Sequence, residues 1–216
     1  MVRPGKIHFD SFGQKFGATD PFLTLQCHNK IARDFCFLGS SSVLATTGHS
    51  VDNKNVSLWD TLLPEAKACT QSYKVHDQGG GGGGYSIAFS KRHQLVVSGG
   101  RHGEIAIFDV RQSRLLHTLH AHEMHVRSLY MDDEAGFFCS GAGEGDMKVW
   151  SLSTFEQLCS FENLQARNRF QLQTFDRIPV KAYGVAQISA SKDSLYTCEP
   201  SGFVRARKKG AALLSL

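Results

Sequence analysis

Histidine, a hydroxyl residue, an acid and an aromatic recur along this chain at nearly fixed spacing. A nucleophilic triad or a metal site is built from the same residue types. His28, His76 and His122 each stand at a loop before an apolar run, and Trp59, Phe108 and Trp150 follow them after 31, 32 and 28 residues. Ser98 lies ten residues before Phe108, Ser140 ten before Trp150, and Thr47 twelve before Trp59. An acid is expected six positions before the aromatic. Glu144 fills that place in one copy, His102 stands there in another, and Asp52 or Asn53 serves in the first. A hydrolase needs one such set beside a substrate, whereas here the set repeats, and no Gly-x-Ser-x-Gly elbow is present. The recurrence therefore reads as structural. A buried indole N–H needs an acceptor, and a satisfied buried chain of hydrogen bonds fixes one loop geometry per repeat. The expected networks are His28, Thr47, Asp52 and Trp59; His76, Ser98 and Phe108; and His122, Ser140, Glu144 and Trp150. They are expected to be incomplete from the third repeat onward. No catalytic, cofactor-binding or metal-binding residue follows from the pattern, and the chain reads as non-enzymatic.

Three other groups invite chemistry. Gly79 to Gly84 are six consecutive glycines, but Tyr85-Ser86-Ile87 follows in place of the Gly-Lys-Ser/Thr of a phosphate loop, so the run reads as a flexible loop. His117, His120, His122 and His125 cluster in HTLHAHEMH; His122 is claimed by its repeat, and zinc would need a third, well-placed ligand. Arg205, Arg207, Lys208 and Lys209 form a basic end, and Lys91-Arg92-His93 sit at a turn. Such charges could contact phosphates, so an alternative reading is a basic-rim binder of nucleic acid or acidic lipid. No aromatic platform interleaves with them, and a specific nucleic-acid partner is not expected.

These residues must be positioned by a repeating scaffold. The segments 41–60, 93–110 and 136–152 each run as apolar strand, Gly- or Asn-rich turn, and second apolar strand ending in the aromatic. A weaker copy spans 194–208, where Thr197 to Arg207 is again ten residues but the aromatic has become Arg. The anchors Trp59, Phe108 and Trp150 lie 49 and 42 residues apart. A period of roughly 40–45 residues with four short strands is the signature of a WD40 β-propeller. The expected architecture is all-β, with blades over 22–72, 73–119, 120–162 and 183–210 within a repeat region 21–210. Residues 1–20 read as the first two strands of a partial blade, 163–182 as a long connection and 211–216 as a tail. Propellers close with about four to eight blades, most often seven in this class, so four and a fraction predict an open one.

The chain has 216 residues, with 41% hydrophobic and 20% charged residues, an ordinary globular composition. Lys and Arg exceed Asp and Glu by 24 − 20 = 4, a mild surplus that does not itself argue for a polyanion partner. No apolar run approaches the roughly 18 residues of a membrane span, and the opening residues lack a signal-peptide core, which predicts a cytosolic chain. Six scattered cysteines without a Cys-x-x-Cys pair read as buried reduced thiols.

At CHNKIARDFCFLGSSSVLATTGHSVDNKNVSLWDTL (27–62) the sequence resembles the carboxy-terminal WD region of the DmX-like family, also called rabconnectin alpha. HQLVVSGGRHGEIAIFDVRQ (93–112), GFFCSGAGEGDMKVWSLSTF (136–155), HFDSFGQKFGATD (8–20) and, more weakly, SLYTCEPSGFVRAR (194–207) match as well. The resemblance implies a part of a very large protein-interaction scaffold. Members bind V-type proton ATPase subunits or assembly factors and a second WD-repeat subunit, and they promote assembly and vesicle or endosome acidification. It also implies a cytoplasmic location, peripheral on endosomal or synaptic vesicles, with membrane contact only through partners.

Overall fold

The structure is a computed structural model. It describes residues 23–77, 82–162, 184–199 and 204–209, together with the backbone of two short strands. Those strands, β1 (Ile7–His8) and β2 (Gly17–Ala18), pair antiparallel. The rest of 1–20, the connection 163–182 and the tail 211–216 lie outside the described residues.

Blade 1 is the antiparallel sheet β3 (Ile31–Phe37), β4 (Val43–His49), β5 (Lys54–Asp60) and β6 (Cys69–Lys74), with the one-turn helix α1 (Glu65–Ala68) before β6. Blade 2 is β7 (Gly84–Ser90), β8 (Leu95–Gly100), β9 (Glu104–Asp109) and β10 (Arg114–His120). Blade 3 is β11 (Val126–Asp132), β12 (Phe137–Ala142), β13 (Met147–Ser151) and β14 (Gln157–Phe161). Blade 4 has three strands among the described residues: β15 (Gln187–Ala190), β16 (Ser194–Cys198) and β17 (Val204–Lys208). The four sheets do not close into a ring.

Burial follows from this stacking. The second strands β8 and β12 are buried at every residue, because each faces a neighbouring blade on both sides. Outer strands such as β10, RLLHTLH, are mostly exposed, with only Leu116 and Leu119 partly covered. The core is three apolar layers, one between each pair of blades. Ala45, Val56 and Leu58 meet Ile87, Val96 and Phe108. Leu95, Val97, Ile105 and Ile107 meet Val126, Phe138 and Trp150. Phe137, Cys139, Met147 and Val149 meet Val185, Ile188 and Leu195.

The first strands β3, β7, β11 and β15 neighbour one another across blades and are the innermost. Their cross-links come from side chains that alternation does not single out. Asp34 Oδ2 accepts the Ile87 N–H (2.9 Å), Ser86 Oγ donates to the Val126 carbonyl (2.9 Å), and Ser128 Oγ donates to the Val185 carbonyl (3.0 Å). Each of these residues directly follows a β-bulge, whose extra residue is Arg33, Tyr85 or Arg127.

Candidate functional site

The strand registers define the polar network. Trp59, Phe108, Trp150 and Arg207 lie opposite Leu44, Val96, Phe138 and Leu195, so the hydroxyls two residues further along the partner strand are Thr46, Ser98, Ser140 and Thr197. In blade 3, Ser140 Oγ accepts the Trp150 indole N–H at 2.9 Å and sits 2.8 Å from His122 Nε2. The second ring nitrogen of His122, Nδ1, faces the acid. That nitrogen is 3.3 Å from Glu144 Oε1, within ion-pair distance but outside hydrogen-bond geometry. Ser140, His122 and Trp150 are hydrogen-bonded, whereas His122 Nδ1 and Glu144 Oε2 have no hydrogen-bond partner, so the acid end of this third network is incomplete. Burial pushes the Glu144 carboxyl up, but His122 and the backbone N–H groups of residues 123 and 144 outweigh it and hold it below its ordinary value.

Blade 2 differs in its acid. His76 Nε2 lies 3.1 Å from Ser98 Oγ, while Nδ1 lies 2.9 Å from Glu104 Oε1. Glu104 is four residues before Phe108, and His102, in the expected place, only donates its backbone N–H to Glu104 Oε2 (2.8 Å). Phe108 has no donor and is buried by packing, with its ring 4.5 Å from that of Tyr73 in blade 1.

Blade 1 corrects two assignments. Thr46, not Thr47, accepts the Trp59 indole N–H (3.0 Å) and meets His28 Nε2 (3.1 Å). Successive strand residues face opposite ways. Thr47 therefore points to blade 2, where its hydroxyl meets Ser98 Oγ at 3.1 Å. Asp52 is exposed and pairs with Lys54 at 3.2 Å. The buried position belongs instead to Asn55 in β5, which accepts the Ser50 N–H (2.8 Å) and donates to the Val75 carbonyl (2.8 Å); Ser50 in turn meets His28 Nδ1 (3.2 Å). In blade 4 the guanidinium does the work of the indole. Arg207 Nη1 donates to Thr197 Oγ1 (3.0 Å) and its head lies 5.3 Å from the Phe161 ring of blade 3.

Ser140–His122–Glu144 and Ser98–His76–Glu104 thus have the connectivity of a hydrolase triad. The two serines are completely buried (0% exposed), and in blade 3 the indole N–H already occupies the attacking oxygen. A nucleophile must reach its substrate, and these cannot. Among the described residues no three His, Cys, Asp or Glu side chains converge as a metal site would require.

The remaining expectations come out unevenly. Gly82 to Gly84 are buried, and a Cβ on Gly84 would lie 1.7 Å from Thr47 Oγ1, so this end of the glycine run is a packing requirement, not a flexible loop; Gly79 to Gly81 lie outside the described residues. All six cysteines are free, but only Cys139 is buried, and Cys69 and Cys198 are exposed. Burial raises the thiol of Cys139, and that of Cys36 up to about 12, which keeps both protonated. Of the basic end, Arg205 pairs with Glu199 (2.6 Å) and Lys209 with buried Asp132 (2.8 Å). Together with Arg207, three of its four cations are spent inside the fold. A cleft of about 510 Å³ between blades 3 and 4 is lined by Asp132, Asp133, Glu134, Lys192 and Lys209, and is organised by that same ion pair.

Exposed apolar side chains stand on both outermost blades. Asp34 and Cys36 face blade 2, while Phe35 (62% exposed) and Phe37 (50%) alternate with them and face away. At the other end Tyr196 and Val204 are exposed on the far face of blade 4.

The WD domain, G-beta repeat model matches residues 113–151, from outer strand β10 of blade 2 to the anchor strand of blade 3. DmX-like protein 1 of Mus musculus is 38% identical over 188 residues, covering 87% of this chain, and that of Homo sapiens is 38% identical over 229 residues, covering 95%. The chain is a WD-repeat member of the DmX-like family. It spans 6% and 7% of the length of those two relatives. The computationally designed Ika4 protein superposes with a TM-score of 0.64 at 18% identity, over 88% of this chain and 99% of that one, a likeness of fold alone. The network residues here hold the blades together.

Proposed function

We propose that this DmX-like chain is a non-enzymatic interaction scaffold that works as an arc of a larger propeller. In this role it supports assembly of the V-type proton ATPase and acidification of vesicles or endosomes. It would act in the cytoplasm, peripheral on endosomal or synaptic vesicle membranes through its partners, which include ATPase subunits or assembly factors and a second WD-repeat subunit. The observation that carries the scaffold reading is the pair of uncovered blade faces. The anchors of blades 2, 3 and 4 pack on the blade before them, as Phe108 does on Tyr73 and Arg207 on Phe161. Phe35 and Phe37 stand on the face where a further blade would lie, and half-exposed rings forgo roughly 1 kcal/mol of burial each. The pairing of three of the basic-end cations argues against the alternative of a basic-rim polyanion binder.

Light scattering tests the arc. The 216-residue chain should self-associate, and a longer chain carrying adjoining blades should be monomeric; a monomeric, cooperatively melting short chain refutes it. Affinity capture with the longer chain from a vesicle extract tests the role. V-type ATPase subunits should be retained, and their absence removes that half of the proposal.

A further inference from the structure

The two ends of the arc carry the two halves of a layer that the chain already builds three times. Strand pairing identifies the equivalent residues. Phe35 lies opposite Thr46, as Ile87 lies opposite Ser98, Leu129 opposite Ser140 and Ile188 opposite Thr197. Phe37 lies opposite Leu44, as Phe89 lies opposite Val96, Met131 opposite Phe138 and Ala190 opposite Leu195. In blades 2, 3 and 4 these residues pack into the layer shared with the preceding blade. In blade 1, Phe35 and Phe37 are exposed. The receiving half recurs in the same way. Ala45, Val97 and Cys139 directly precede the network hydroxyls of their strands and are buried beneath the next blade; the same place in blade 4 holds Tyr196, which is exposed. Val56, Ile105 and Met147 stand three residues before their anchors and are buried likewise; the same place in blade 4 holds Val204, also exposed.

A polar link accompanies each layer. Asp34, Ser86 and Ser128 directly follow their bulges, and each bonds the backbone of the next blade. Gln187 holds this place in β15, opposite Cys198 as Ser128 is opposite Gly141, and it is exposed. Ser86 donates to the carbonyl of Val126, the residue directly before the bulge of β11, and the same place in β3 is Ala32. Apolar faces and polar link are therefore both present at the two ends, each lacking its other half.

We propose that two copies of this chain join head to tail, the far face of blade 4 in each copy closing on the near face of blade 1 in the other. Tyr196 and Val204 then cover Phe35 and Phe37, and the Gln187 side-chain amide donates to the Ala32 carbonyl of the second copy. A second copy is the occupant because the two faces are complementary halves of one interface that this chain forms between its own blades. Ring size sets the number. Propellers close with about four to eight blades, and two copies of a four-blade arc make eight, whereas three would make about twelve. A head-to-tail contact that closes gives a discrete ring, and one that does not gives an open filament. The proposal rests on the arc reading and names what covers the ends of the arc where no adjoining blade does.

Sedimentation velocity on the full 216-residue chain tests it. The wild type should run as a single species of two chains. F35K/F37K spoils one face and Y196E/V204E the other; all four positions are exposed, so both variants should keep the wild-type circular dichroism spectrum and run as monomers. Mixed in equal amounts, the two variants should pair, because one contact of the mixed ring is native and the other sets Lys against Glu. Gln187→Ala should raise the dissociation constant at least about fivefold, since both contacts of the ring lose a bond. Leu158→Ser, exposed on β14 of the inner blade 3, should leave the two-chain species unchanged. A monomeric wild type would overturn the proposal together with the arc reading. An open-ended series of masses, a dimer that survives Y196E/V204E, or no pairing in the mixture of folded variants would overturn the ring alone and leave the arc reading standing. None of these outcomes depends on whether ATPase subunits are captured.

Discussion

Replacing Ser140 by Ala isolates the energetic role of the blade 3 network. The hydroxyl serves two buried partners at once, the Trp150 indole (2.9 Å) and His122 Nε2 (2.8 Å), and Trp150 and His122 are only 6% and 3% exposed. Removing it leaves the indole N–H and His122 Nε2 without partners, and water cannot reach them without opening the blade. A buried unsatisfied group costs about 1–3 kcal/mol, so two cost about 2–6 kcal/mol before relaxation. That is a large share of a domain stability of about 5–15 kcal/mol. Blade 2 supplies the internal control. Ser98 also meets His76 (3.1 Å), but its anchor Phe108 has no donor to orphan. Ser98→Ala loses in addition the contact with Thr47 (3.1 Å), whose hydroxyl keeps the Asn55 carbonyl as a partner. It should therefore cost less, about 1–3 kcal/mol. Urea unfolding followed by tryptophan fluorescence gives both numbers. With a slope of roughly 2–3 kcal/mol per molar, the Ser140→Ala midpoint should fall by roughly 1–2 M. If Ser140→Ala costs under about 0.5 kcal/mol, or no more than Ser98→Ala, the two-partner account is wrong.

Acid should destabilise the chain in two stages. His28 and His125 have folded pKa values below their ordinary 6.5, so their neutral forms favour the fold above that pH and the contribution is lost as pH falls through the depressed values. Glu104 and Glu144, both held below 4.5, add a second loss further down, and Glu104→Gln should flatten that second branch of the melting temperature against pH. Arg207→Ala should lower stability by about 1–2 kcal/mol, because Thr197 loses its donor and Phe161 its cover, whereas Arg207→Trp should retain both contacts; a melt of the two variants decides it. Gly84→Ala should prevent folding or cost more than about 3 kcal/mol, since its Cβ would overlap the Thr47 side chain, while Gly136→Ala, in open space but at φ +69°, should cost only about 1–2 kcal/mol by urea titration.

The repeat carried the architecture. Hydrophobic runs bounded by Asn and Gly turns, with an aromatic ten residues after a hydroxyl, are local properties of the chain, and they located strands β4, β5, β8, β9, β12 and β13 and the pairing of His122, Ser140 and Trp150. The choice between Thr46 and Thr47 was not local. Both are threonines in one strand, and only the register that puts Leu44 opposite Trp59 turns the first toward the indole and the second toward Ser98. The acid is a similar case. Spacing pointed to position 102, yet Glu104 reaches His76, because the left-handed turn at Gly103 carries the chain round so that a longer side chain two residues later fills the same space. Arg207 looked like a lost aromatic and keeps the network bond through a different donor. The sequence by itself determined that apolar strands would stack as blades with one buried polar network each. Tertiary structure alone decided which hydroxyl and which acid joined each network, that Gly84 must lack a side chain, and that bulges fall at Arg33, Tyr85 and Arg127 of three successive blades. Those outcomes depend on distances between segments 13 to 51 residues apart, which no local pattern contains.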